Sequence, residues 1–84
     1  MNNAKYIVFN ERKVVVFPAL MEHVEMAKRF SEWKPTSAGF VSFGVNEEGD
    51  VQLSGYGESI SLKLKAAPDD TRLLTRLTRD AFEL

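Results

Sequence analysis

Two short runs, Tyr6-Ile7-Val8-Phe9 and Val14-Val15-Val16-Phe17, are apolar at every position. β-branched and aromatic residues favour strands. Successive side chains of a strand point to opposite faces, so each run is apolar on both. Asn10-Glu11-Arg12-Lys13 between them is polar and suits a turn, and the two runs read as a hairpin. Soluble monomers rarely leave such a surface open, so both faces of this hairpin must be covered. If two helices cover one face of the sheet, the outward set needs a second copy of the chain or a protein partner. If the helices lie on opposite faces, the chain covers the hairpin by itself. The first arrangement is the expectation, with Tyr6, Ile7, Val8, Phe9, Val15, Phe17 and Trp33 as the candidate protein interface.

Downstream, the period of the apolar positions changes from two to 3.6. Pro18 has no N–H for a ladder and suits a first helical turn. Leu20, Val24, Ala27 and Ser31 fall on one stripe flanked by His23 and Phe30, with Glu22, Glu25, Lys28, Arg29 and Glu32 opposite. This predicts an amphipathic helix over about residues 19–32, stopped ahead of Pro35. Gly39, Val41, Phe43 and Val45 then alternate with Ala38, Phe40, Ser42 and Gly44, as in a strand with one strongly apolar face. Residues 46–50 read as a turn with Gly49 free to take positive φ. Val51 and Leu53 continue on odd positions, whereas Ile60, Leu62 and Leu64 alternate on even ones. A strand cannot switch faces without an inserted residue or a break, so Gly55-Tyr56-Gly57 is expected to hold a bulge or kink. Pro68-Asp69-Asp70 opens a second helix, with carboxylates where its dipole favours them. Leu73, Leu74, Leu77, Ala81 and Leu84 form its apolar stripe. The fold class is therefore α+β: an antiparallel sheet of two hairpins with two helices, in the order β-β-α-β-β-α.

The 84 residues make one small domain, spanning 1–84. The chain has no cysteine, which excludes disulfides, thiolate metal sites and cysteine nucleophiles, and points to the cytoplasm. Its 11 basic and 12 acidic residues leave a net charge of -1, with no global attraction for nucleic acid or anionic lipid. The longest uncharged apolar stretch, Val14 to Met21, is interrupted by Pro18 and falls far short of the ~20 residues that span a bilayer. The first six residues have no secretory h-region.

Ser37-Ala38-Gly39-Phe40-Val41, Gly55-Tyr56-Gly57-Glu58-Ser59, Ser61-Leu62 and Ala67-Pro68-Asp69-Asp70, with Val15-Val16-Phe17-Pro18 upstream, resemble a pattern in small phage and prophage proteins of Proteobacteria. The resemblance covers about residues 5–77. It implies a phage-associated setting and no particular activity. Many relatives of this kind carry Cys where this chain has Gly55, so any thiol-dependent role would be absent here.

None of the chemical motifs is complete. Gly55-x-Gly57 lacks the Walker lysine and the helix that a phosphate cradle needs. Gly55 to Ser59 does not match the G-x-S-x-G elbow. His23 is the only histidine and sits beside an apolar stripe, which fits a packed side chain better than a ligand or base. With one histidine and no cysteine, and without the alternating ligands of a calcium loop at residues 47–50, no metal site is expected. Arg72, Arg76 and Arg79 share a helix face and are the best nucleic-acid candidates, but Asp69, Asp80 and Glu83 lie on the same face and offer them partners. Phe40 and Phe43 fall on opposite faces and cannot form one RNA-stacking platform. Trp33 reads as a lid over the edge of the core. The sequence therefore points to a non-enzymatic protein-interaction module of phage or prophage type, with a protein partner or a homodimer, no cofactor and no small-molecule ligand. Nucleic-acid binding through the arginine face is the second reading, and salt dependence separates the two.

Overall fold

The computed structural model describes residues 4–45 and 47–82. It is an α+β fold in which a four-stranded antiparallel sheet carries one helix on each face. The elements are β1 (Ala4–Phe9), β2 (Lys13–Pro18), α1 (His23–Lys28), β3 (Pro35–Val45), β4 (Val51–Tyr56), β5 (Glu58–Ser59), β6 (Leu64–Lys65) and α2 (Asp70–Phe82). The order is β-β-α-β-β-β-β-α, two short strands more than the sequence pattern predicts. The main sheet runs β2-β1-β3-β4, which places β1 in the interior beside β3. The β5–β6 pair forms a separate ribbon.

The two apolar faces of β1 are both used inside the chain. Tyr6 and Val8 join Val41, Leu53, Leu73 and Leu74 in a core beneath α2. Ile7 and Phe9 join Phe17 and Ala38 in a second core, closed by Met26, Ala27 and Phe30 from α1 and its C-terminal turn and by Leu62 and Leu64 from the β5–β6 ribbon. Tyr6, Ile7, Val8 and Phe9 are at most 1% exposed. Each such side chain contributes ~1.5–3 kcal/mol on burial, so β1 alone supplies a large share of a small domain's stability. This corrects the expectation that the outward set of the first hairpin needs a partner. Tyr6, Ile7, Val8, Phe9 and Phe17 are buried within the chain because the helices lie on opposite faces.

Three local predictions also change. Pro18 ends β2, and α1 starts later, at His23. Glu25 Oε1 accepts the Glu22 N–H at 3.3 Å, half of a capping box that sets this start. The inward face of the segment is then His23, Met26, Ala27 and Phe30, spaced i, i+3, i+4, i+7, and Leu20 lies outside the helix and 98% exposed. Residues 60–63 form a turn, with Lys63 at φ 58 and its N–H donated to the Ile60 carbonyl at 3.3 Å. The even-position alternation there does not build one strand. Finally, β3 begins at Pro35, a position at which a strand tolerates proline because no ladder N–H has yet been required.

The break expected between the two parities is present. Gly57 sits at φ 77 between β4 and β5, and its carbonyl accepts the Ala66 N–H at 2.9 Å, which folds the ribbon back across β3. The turn after β3 has Gly49 at φ 86.

Candidate functional site

Asp70 is buried on the α2 face, at 2% exposure. Its Oδ2 accepts the Tyr6 hydroxyl at 2.6 Å and the Ala67 N–H at 2.8 Å, and its Oδ1 accepts the Ser37 hydroxyl at 2.8 Å. The carboxylate thus ties β1 and β3 to the first turn of α2. Burial, and then the hydrogen bond to Asp70 and its charge, push the Tyr6 hydroxyl well above the usual phenol range, so Tyr6 acts as a fixed donor. A cleft of about 170 Å³ opens beside this network, lined by Val8, Glu11, Thr36, Ser37, Asp69, Asp70 and neighbouring apolar atoms. Every buried side-chain polar atom among the described residues has a hydrogen-bond partner, so the cleft presents no orphaned group to a ligand. Ser37 donates its hydroxyl to the Asp70 carboxylate, with no histidine beside it among the described residues. His23 lies across the sheet, against Phe17 and Phe40. A Ser37-His23-Asp70 triad is therefore not assembled.

On the α1 face, His23 is 3% exposed and its Nε2 donates to the Gly39 carbonyl at 2.9 Å. Burial holds its pKa below the ordinary value, with the Gly39 bond acting in the other direction. Its ring meets Phe17 and Phe40 edge-on, and Phe40 leans in turn on Tyr56 at 5.9 Å. Lys5 Nζ is buried beneath the turn before α1, donating to the Met21 carbonyl at 3.1 Å with Glu22 at 3.5 Å. His23 is thus a core histidine that carries a sheet-to-helix bond.

Leu20 and Ile60 are the two most exposed large apolar side chains among the described residues. Leu20, in the turn ahead of α1, is 98% exposed, and Ile60, in the turn of the ribbon, is 85% exposed. Ser61 Oγ accepts the Val24 N–H at 3.3 Å and joins the ribbon turn to the first turn of α1. Tyr56, half exposed, lies at the end of β4 that leads into the ribbon. The sequence pattern placed Leu20 in a buried stripe and Ile60 in a strand. The Glu22–Glu25 spacing and the Lys63 turn were the signals that put both outside the core.

Of the remaining expected interface residues, Val15 is half-buried against the second core and Trp33 closes its edge. Trp33 stacks on Phe30 at 5.2 Å, tilts against Phe9 at 5.8 Å and carries Lys13 Nζ 4.7 Å above its ring, as a lid would. On the arginine face, Arg72 is held by Asp69 through bonds of 2.7 and 2.8 Å, three residues apart. That pairing lowers the Asp69 pKa and raises that of Arg72. Arg76 is exposed. The side chains of Arg79, Asp80 and Ala81, together with Glu83 and Leu84, lie outside the described residues. Leu77 is 41% exposed, at the outer margin of the apolar stripe of α2.

Among the described residues no group of three His, Asp or Glu side chains converges to hold a metal, and no helix is long and apolar enough to cross a membrane. The chain matches no protein-family model, and no curated protein or solved structure proved significantly similar to it.

Proposed function

We propose that the chain is a non-enzymatic protein-interaction module, an accessory or host-modulating protein of phage or prophage type. The phage setting rests on the sequence resemblance. The interaction reading rests on one observation: Leu20, three residues ahead of α1, and Ile60, in the ribbon turn that Ser61 bonds to the first turn of α1, both project almost fully into solvent. A single exposed apolar residue is ordinary. Two on segments flanking the Ser61–Val24 bond, with Tyr56 half exposed at the end of β4, offer apolar surface of the kind that anchors a protein partner. The partner is a protein with an apolar recess that receives Leu20 and Ile60.

Leu20→Asp and Ile60→Asp test the reading, because both side chains lie outside the cores and the variants are expected to keep the wild-type melt. A binding partner isolated from host lysate is expected to lose the double variant by at least tenfold in affinity, and to keep Arg76→Ala unchanged. Equal retention of the double variant would overturn the assignment. Salt-sensitive retention of a DNA or RNA probe that is lost in Arg76→Ala would favour the arginine face instead.

A further inference from the structure

The sheet has two edges, and among the described residues only that of β4 is closed. At β4 the Gly55 N–H donates to Thr71 Oγ1 at 3.1 Å, and Thr75 Oγ1 donates to the Leu53 carbonyl at 3.4 Å. Residues 53 and 55 share a parity, so both groups point out of the sheet, and two hydroxyls of α2 stand where a fifth strand would. At β2, the opposite edge, alternate backbone N–H and C=O groups also point away from β1. Among the described residues no other element bonds to those of Val14–Phe17.

The open edge is also unguarded. Natural edge strands carry charges or prolines that repel a second chain. Here Lys13 and Pro18 stand at the two ends, and the window Val14-Val15-Val16-Phe17 between them is uncharged, with Val16 37% exposed.

We infer that β2 pairs antiparallel with β2 of a second copy, joining two sheets into one of eight strands. The second copy fits because a two-fold axis normal to the sheet makes this edge its own complement. Such an axis keeps each face on its own side, so residues of equal parity meet. Centred on Val15, it sets Val14 against Val16 and Lys13 against Phe17. The two Lys13 ammonium groups then sit at opposite ends of the seam. Val14 and Val16 lie on the α2 face, so the valine pairs extend the first core across the seam. This partner is distinct from the one proposed for Leu20 and Ile60, and the variants are chosen accordingly.

Light scattering after size exclusion, run at several concentrations, reads the mass. The wild type is expected to approach twice its 9.5 kDa chain mass at about 100 µM, the weak end expected of so short a seam. Val16→Lys is expected to raise the dimer dissociation constant at least tenfold, whereas Gln52→Lys on the closed edge and Leu20→Asp leave it unchanged. The absence of cysteine provides a readout that tolerates a shifted melt: Val15→Cys, which meets its own copy at the axis, should form an intermolecular disulfide under mild oxidation, and Gln52→Cys should not. A wild-type monomer at that concentration would overturn the inference. So would a dimer indifferent to Val16→Lys, or crosslinking through Gln52→Cys in place of Val15→Cys.

Discussion

The Tyr6 hydroxyl donates to Asp70 Oδ2 across 2.6 Å, and the two residues are 64 positions apart in the chain. One end of this bond lies in the innermost part of the sheet and the other in the opening turn of the last helix. The same carboxylate holds Ser37 and the Ala67 N–H, so three elements meet on one side chain. Tyr6→Phe should cost ~1.5–3 kcal/mol, the range for a hydrogen bond to a charged group. Asp70→Ala should cost more, because it leaves two buried hydroxyls and an N–H without an acceptor. In a double-mutant cycle read by urea unfolding, the pair should couple by at least ~0.5 kcal/mol. Additive single effects would show that the bond contributes nothing beyond burial.

Gly55 and Gly57 have different reasons to be glycine. A Cβ at Gly55 would stand 2.6 Å from the Tyr6 hydroxyl, so Gly55→Ala pushes the ring off its place against β4 and should cost ~1–3 kcal/mol. Gly57 is at φ 77, and Gly57→Ala should cost about 1 kcal/mol from backbone strain. Combining Gly55→Ala with Tyr6→Phe separates the two causes. Removal of the hydroxyl should recover part of the Gly55→Ala loss and none of the Gly57→Ala loss.

The first hairpin turn holds Asn10 at φ 54 and Glu11 at φ 63, the positive pair of a type I′ turn. Asparagine tolerates this region and glutamate does not. The Glu11 side chain is exposed, and its N–H bond to Thr36 Oγ1 at 2.9 Å survives in glycine. Glu11→Gly should therefore stabilise the fold by about 0.5–1 kcal/mol, read as a higher melting temperature. An unchanged or lower melt would mean that the native turn carries no strain.

His23 provides the pH dependence. Its pKa is lowered in the fold by burial, so the unfolded chain takes up a proton first as the pH falls below ~6.5. In that interval the unfolded state binds more protons, and stability rises with pH. The His23 contribution is thus complete above about pH 6.5 and declines as the pH drops toward the lower, folded value. His23→Gln keeps an amide donor for the Gly39 carbonyl and removes the titration. Chemical denaturation at pH 7 and pH 5 should show the wild type losing more stability than the variant. Equal losses would place the acid sensitivity elsewhere.

The sequence by itself determined the strand character of Tyr6–Phe9 and Val14–Phe17, the parity break at Gly55–Gly57 and the start of the last helix at Pro68-Asp69-Asp70. Each of these is local. β-branched runs, a change of alternation and a capping pattern act over a few residues, and the structure follows them. The tertiary structure alone decided which surface is inside. The first hairpin is apolar on both faces, and its pattern is the same whether a second helix or a second chain covers it. The choice fell to the strand order β2-β1-β3-β4, which puts β1 in the interior and leaves one helix for each face. The positions of Leu20 and Ile60 were decided in the same way. Leu20 obeyed a helical period, but the Glu22–Glu25 contact started α1 beyond it. Ile60 obeyed a strand alternation, but the ribbon had to turn there to lay Leu62 and Leu64 against the second core. Periodicity states which side chains can share a face. Only packing, through contacts between residues far apart in the chain, states whether that face meets the core or the solvent.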